Sequence, residues 1–376
     1  MALKIVFVST FPPKACGIGV YTNDLIGGIL GADPQTDWRV LALEDPGDAF
    51  SYPFPVRRTI AKEDLDSVAA AARWINASGA DIVSIQHEFG IWGGFDGSFL
   101  QPFLDALQVP VHLTLHAVPM TDSSFNRTNR ESLLRRIIPR VDRVATFIPR
   151  ARAFLIDHCG ADAACTSVIW HGAPPVVERD RSTAKASLGL AGRTVMATFG
   201  LLSRFKGIDV AIEALALANR PDVTYLVLGQ PHPYEPASLM PDLRALADRL
   251  GVGSQVRWET RFLAEDELNG FLDATDIYLT PYVEPTQISS GTLTRAMAAG
   301  CAIIATPYLY AEAALADDRG VLVPFSDASA LGRAIVDMVD QPDRRHVLGQ
   351  RARAFADDLA WPKIGARFLD DCTRAL

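Results

Sequence analysis

Nothing in the sequence approaches the run of about twenty apolar residues that a membrane-spanning helix needs, so no transmembrane segment is expected. The opening MALKIVFVST is too short and too strand-like for a secretory leader, which makes the cytoplasm the expected location. Positive charge is in deficit, with 36 Lys and Arg against 44 Asp and Glu, a net charge of −8 and a pI near 5.4. A chain of that sign does not suit a polyanion, so nucleic acid is not an expected partner. Cysteine is sparse: Cys16, Cys159, Cys165, Cys301 and Cys372 form no C-x-x-C pair and have no matching histidine spacing. That excludes a zinc motif and a disulfide framework as readings, leaving reduced thiols. Carboxylates and histidines do not cluster at ligand spacing, and no metal is expected.

What is present is a 376-residue chain with 49% hydrophobic and 21% charged residues, enough for two domains with separate cores. One pattern occurs twice. LKIVFVST, WRVLALE, DIVSIQH, VHLTLH, RVATFI and TSVIW recur through the first half, separated by helix-length segments. TVMATFG, VTYLVLG, SQVRWE, DIYLTPY, CAIIAT and GVLVPF repeat the theme in the second. Such runs read as parallel strands buried on both faces, so the expected class is α/β with two doubly wound sheets. Consecutive prolines and a charged run between 171 and 190 mark the join, and the strand ends of both halves are expected to face a cleft.

The segment QISSGTLTRAMAAGCAIIAT, residues 287–306, reads as a polar loop, a helix and a short strand. Free N–H groups at a helix start, beside Ser289, Ser290, Gly291 and Thr292, make a seat for a phosphate. SRFKG supplies Arg204 and Lys206 directly after a strand, where fixed positive ends could stabilise a departing phosphate. Gly17 and Gly19 follow the first strand, where backbone without Cβ can approach a ligand or simply turn tightly. His87, Glu88 and Trp92, in QHEFGIWGGFDG, are candidate acceptor contacts, with Trp92 as a stacking face; an ordinary tight connection around a buried aromatic is the alternative. His171, in VIWHGAP, lies where the chain leaves the first half, as a hinge contact or a ligand contact.

Together, FPPKACGIGVYTNDL, LTLHAV, VIWHGAP, FGLLSRFKGIDVAIEALA, FLAEDELNGFLDATDIYLTPY and RAMAAGCAIIAT resemble, in order, the retaining GT-B glycosyltransferases of family four. The resemblance implies two Rossmann-like domains: 1–172 for the acceptor, 173–358 for the donor, and a helix over 359–376 crossing back onto the first. It also implies a metal-independent hexosyltransferase without a cofactor, using a nucleotide diphosphate sugar and a carbohydrate or glycoconjugate acceptor. Lys206 matches the family's phosphate lysine, and His116 the histidine that contacts the transferred sugar. Three positions depart from the pattern: Leu201 replaces the usual arginine, and Gln287 and Arg295 replace the paired glutamates. A guanidinium can only donate, and its planar fork suits phosphate oxygens better than ribose hydroxyls. QISSGTLTR is also similar to the phosphate loop of glycogen-type phosphorylases, so a phosphorylase using sugar 1-phosphate or orthophosphate is the alternative. A non-catalytic carbohydrate-binding relative is a third reading, opposed by Lys206, His116 and the glycine loops.

Sugar identity is not legible, and acceptor identity depends on loops 86–97 and 117–130. The arginine-rich segment 127–152, with LLRRII at its centre, raises peripheral contact with anionic lipid as a minor reading. Glu131, Asp142 and the strand-like RVATFI argue against one continuous lipid-seeking helix.

Overall fold

In the computed structural model, which describes residues 2–121, 126–175 and 180–376, the apolar runs become two all-parallel sheets. Positions 122–125 of the 117–130 loop and 176–179 of the interdomain join lie outside the described residues. The chain divides into two units, residues 1–172 with 359–376, and residues 173–358.

The first unit contains β1 (Lys4–Ser9), β2 (Asp37–Glu44), β3 (Val56–Ala61), β4 (Ile82–His87), β5 (Val111–Leu115), β6 (Arg143–Thr146) and β7 (Thr166–Val168), in spatial order 3-2-1-4-5-6-7. The second contains β8 (Thr194–Phe199), β9 (Val223–Leu228), β10 (Val256–Glu259), β11 (Ile277–Thr280), β12 (Ala302–Ala305) and β13 (Val321–Leu322), in order 10-9-8-11-12-13. Central strands such as β4, β5, β9 and β11 are buried at every residue, as strands covered by helices on both faces must be. In the second unit the core is packed by the helix Ile208–Ala218 and its neighbours, through Ile212, Leu215, Ile335 and Met338.

Strand order reverses between β1 and β4 in the first sheet and between β8 and β11 in the second. Loops leaving the carboxyl ends of two such strands diverge to opposite faces, opening a crevice where open α/β sheets hold ligands. In the second unit those loops carry residues 200–207 and 281–290.

The last helix, Trp361–Thr373, belongs to the first unit and crosses the first helix, Gly17–Ala32. Gly28 and Gly365 meet at the crossing, where a Cβ on either would collide with backbone of the opposite helix. Near its end, Asp371 accepts hydrogen bonds from His112 Nε2 at 3.1 Å, Ser167 Oγ at 2.5 Å and the Arg143 guanidinium. One buried carboxylate thus ties the helix to β5, β6 and β7.

The arginine-rich segment is not one helix. It divides into the helix Arg127–Ile137, β6 and a second helix from Pro149 to Cys159. Arg135 bonds Glu131, Arg136 bonds Gln101, and Arg140 pairs with Asp105, so much of the basic face is engaged within its own unit. Among the described residues no helix is long and apolar enough to cross a membrane.

Candidate functional site

The loop after β8 is shaped to bring a lysine to the reversal point of the second sheet. Residues Arg204–Lys206 form a single tight turn, and Gly207 follows with φ of +62°. A Cβ at Gly207 would collide with the Pro281 carbonyl oxygen, so glycine lets this loop close onto the end of β11. Gly207→Ala should therefore destabilise the protein by about 2–4 kcal/mol, combining left-handed strain with a backbone clash. Urea unfolding at a wild-type midpoint would show that neither constraint operates.

With the loop closed, Lys206 Nζ donates to the Tyr282 hydroxyl at 2.7 Å and lies 4.0 Å from the centre of its ring. The same phenol oxygen is 2.7 Å from Thr292 Oγ1, which is 3.3 Å from Ser290 Oγ. Ser290 caps the helix Gly291–Ala298, accepting from Leu293 N, while the first helical N–H groups have no intrahelical acceptor. Beneath these groups, Tyr308 stacks on Tyr282 at 5.1 Å, and its hydroxyl lies 3.5 Å from both Ser290 Oγ and Thr280 Oγ1, to either of which it can give its one proton. Burial holds the Tyr308 phenol far above its usual titration range, so it acts as a neutral donor. The assembly is one ammonium, several hydroxyls and the positive end of a short helix, an arrangement suited to an anion.

Lys206 differs from its neighbours in having no carboxylate within ion-pair distance among the described residues. Arg204 has a side chain 65% exposed and pairs with Glu235 at 3.3 Å. Arg295 is drawn to the helix Glu265–Asp273, where Nη1 reaches Glu265 and Asn269 at 3.2 Å each. Gln287 donates to the Ser289 carbonyl at 2.7 Å, and its own carbonyl accepts from Tyr310 N, so it braces the loop before the helix. Glu284 is turned onto Thr286. The structure thus gathers Lys206, Ser290 and Thr292 with the start of the helix at Gly291, and directs the side-chain contacts of Arg204, Arg295 and Gln287 elsewhere. Tyr282 and Tyr308 were not anticipated; the sole signal was a tyrosine after the proline that ends a buried strand.

In the first unit, His116 follows β5 and is 9% exposed. Its Nε2 lies 2.9 Å from Gln86 Oε1, while the Gln86 amide nitrogen donates to Ser84 and Thr114. That orientation makes Gln86 the acceptor and His116 Nε2 the protonated nitrogen, leaving Nδ1 as an acceptor. Burial, then the neighbouring His171 and His87, push its pKa down to about 3, so the ring is neutral. Tyr21 meets the rings of His116, Phe147, His171 and Trp361 at centroid distances of 4.8 to 5.6 Å. His171 is part of this aromatic cluster and bonds Gly172 O through Nδ1 at 2.7 Å.

The remaining candidates have local explanations. Trp92 is 1% exposed and packs on Phe103, so it is the buried aromatic of a tight connection and offers no ring face to a sugar. His87 is fully buried beside Phe89, and burial with the Arg130 charge lowers its pKa to about 3. Glu88 accepts from Gly90 N at 2.7 Å and closes its own loop. Gly19 faces the backbone of Thr10 and Phe11, where a Cβ would sit 3.2 Å away, whereas Gly17 has open space before it. Among the described residues no group of three or more His, Cys, Asp or Glu could hold a metal ion.

Two all-parallel sheets of this order are the GT-B fold. Anabaena HepE in complex with UDP and glucose has the same fold, with a TM-score of 0.77 at 17% identity over 99% of each chain. The family model described as Glycosyl transferases group 1 matches residues 193–341, so this part of the chain is similar to that family. A GDP-mannose-dependent monoacylated alpha-(1-6)-phosphatidylinositol monomannoside mannosyltransferase of Corynebacterium glutamicum is 24% identical over 96% of both chains. D-inositol 3-phosphate glycosyltransferase of Corynebacterium kroppenstedtii is 25% identical over 71% of this chain and 62% of its own length.

Proposed function

We propose that the protein is a retaining hexosyltransferase that moves a sugar from a nucleotide diphosphate sugar to a carbohydrate or glycoconjugate acceptor. The observation that carries this reading is Lys206, an ammonium without a carboxylate partner, held beside hydroxyls and free amides at the start of a helix. Such a seat is most useful when negative charge grows on a leaving diphosphate, and it serves that purpose without a metal. Lys206, Ser290, Thr292 and the first N–H groups of the helix Gly291–Ala298 bind the diphosphate oxygens. In the first unit His116, neutral and with Nδ1 unprotonated, can accept a hydrogen bond from a sugar hydroxyl. The acceptor hydroxyl attacks from the face that the phosphate leaves, and a phosphate oxygen takes its proton. Nucleotide-sugar use is supported by the UDP complex of the structural neighbour and the GDP-mannose dependence named for the curated relative.

The phosphorylase alternative rests on Leu201, Gln287 and Arg295 together with the QISSGTLTR similarity. Of these, Arg295 Nη1 is engaged by Glu265 and Asn269 and Gln287 braces its own loop, which favours the nucleotide-sugar reading. A thermal-shift series separates the two. One of UDP, GDP or ADP should stabilise the protein by about 2.7 kcal/mol at a concentration of 100 Kd, while orthophosphate and hexose 1-phosphates have little effect. Stabilisation by orthophosphate or a hexose 1-phosphate, with every nucleotide silent, would overturn the nucleotide-sugar reading.

Arg204 contributes less than Lys206 in this scheme, because it is exposed and paired with Glu235. Arg204→Ala should reduce kcat/KM by less than about tenfold. A loss equal to that of a Lys206 variant would show that the turn presents both cations to the donor.

A further inference from the structure

We infer that Tyr282 is a positioning residue for the leaving-group site, fixing the Lys206 ammonium before a diphosphate arrives. The inference rests on reading Lys206 as a diphosphate ligand. Tyr282 follows β11 at the reversal point of the second sheet and is 1% exposed. Its carbonyl accepts from Thr306 Oγ1 at 2.5 Å, and Tyr308 stacks on its ring at an interplanar angle of 20°. Backbone and ring are therefore both held, and the hydroxyl has one place to be.

That hydroxyl stands between an ammonium and the helix start. Lysine has no acceptor, so the first link can run only from Lys206 Nζ to the phenol oxygen. A phenol that accepts from an ammonium is a better donor in turn, and Thr292 Oγ1 lies 2.7 Å away to receive its proton. The chain leads from the lysine to the hydroxyls beside the first free amides of the helix. Lysine ordinarily has a flexible four-carbon stem whose freedom is lost on binding; here much of that loss has already occurred in the folded protein.

The chemistry of the partner matters as much as its place. A carboxylate at this position would orient Lys206 but neutralise it and repel the incoming diphosphate. A phenol and an aromatic face hold an ammonium while leaving its charge uncancelled. Because Lys206 can give two further N–H groups, a diphosphate oxygen can bind without displacing Tyr282. Tyrosine orients the cation at no electrostatic expense to the ligand, which distinguishes Lys206 from Arg204 and Arg295.

The test is a double-mutant cycle read by calorimetric titration of UDP and GDP into the full chain. Wild type, Tyr282→Phe, Lys206→Ala and the double variant are compared. Phenylalanine keeps the stacked ring and removes only the hydroxyl, so the melting temperature of the free variant should stay within a few degrees of wild type. For whichever diphosphate binds, Tyr282→Phe should weaken affinity by about tenfold in the wild-type background and by less than twofold in the Lys206→Ala background. A purely structural loss would be the same in both backgrounds and would overturn the inference, as would wild-type affinity in Tyr282→Phe when Lys206→Ala binds weakly. Wild-type affinity in Lys206→Ala would instead remove the reading of Lys206 on which the inference stands.

Discussion

Lys206→Ala should lower kcat/KM for the sugar donor by about 10²–10³-fold, with the melting temperature of the free protein nearly unchanged. The size follows from the chemistry at the seat. Negative charge on the diphosphate is greatest when the glycosidic bond is breaking, so a fixed ammonium stabilises the transition state more than the bound donor. Part of the loss should therefore appear in kcat and part in KM, whereas removing a contact made equally in both states would raise KM alone. Fold stability should be largely spared because Lys206 makes no buried ion pair; its partners are a phenol and a ring that remain packed on Tyr308 without it. Steady-state kinetics with the nucleotide sugar whose diphosphate gives the largest thermal shift are the measurement. Turnover at the wild-type rate would remove the centre of the proposed mechanism, whatever the helix start at Gly291 does.

The two-sheet fold was legible because parallel strands buried on both faces are apolar without interruption. KIVFVS, VTYLVL and AIIA have no other reading between helix-length segments. β3 was missed for the converse reason: VRRTIA is an edge strand, exposed at Arg57, Arg58 and Thr59, and its charges hide the pattern. At the site, Lys206 and the Ser290 to Thr292 stretch could be proposed from chain position, because a turn after a strand and a capped helix start are local features. Tyr282 could not, since its role arises from loops that leave β8 and β11, distant in sequence and neighbours only in the sheet. Trp92 shows where chain position leaves two readings open: a glycine-rich loop suits a stacking face or a tight connection around a buried aromatic, and the ring turns inward onto Phe103, as the second has it. Arg295 has a similar lesson: a position on a helix says which turn a guanidinium occupies, but not that Glu265 and Asn269 on a neighbouring helix will engage it.

Asp371→Asn should destabilise the first unit by about 3–5 kcal/mol at neutral pH, the range for removing one partner from a buried charge network. The carboxylate is 4% exposed and faces Arg143, itself 5% exposed, together with His112 and Ser167. An amide of the same size cannot compensate the buried guanidinium, and it offers one acceptor oxygen where two are in use. Each kcal/mol should lower the melting temperature by about 2–4 °C in a domain of this size. The pH dependence gives an independent sign. Burial alone would raise the Asp371 pKa, but the hydrogen bond and charge of His112, with Arg143 and Ser167, overcome it and hold the carboxyl down at about 2, below the ordinary aspartate value of 3.8. A group whose folded pKa is depressed contributes stability above its unfolded pKa, and that contribution disappears as pH falls through the folded value. The stability gap between wild type and Asp371→Asn should therefore be constant from pH 7 to 5 and shrink by about 1 kcal/mol by pH 3. Urea midpoints at these three pH values test both parts. Equal midpoints at pH 7 would mean that the closing helix is held by Trp361, Phe368 and the Gly28 to Gly365 crossing without its charge. A large gap that did not narrow at pH 3 would assign the loss to packing around the new amide, because only a carboxylate ionised in the folded protein can lose stability in that window.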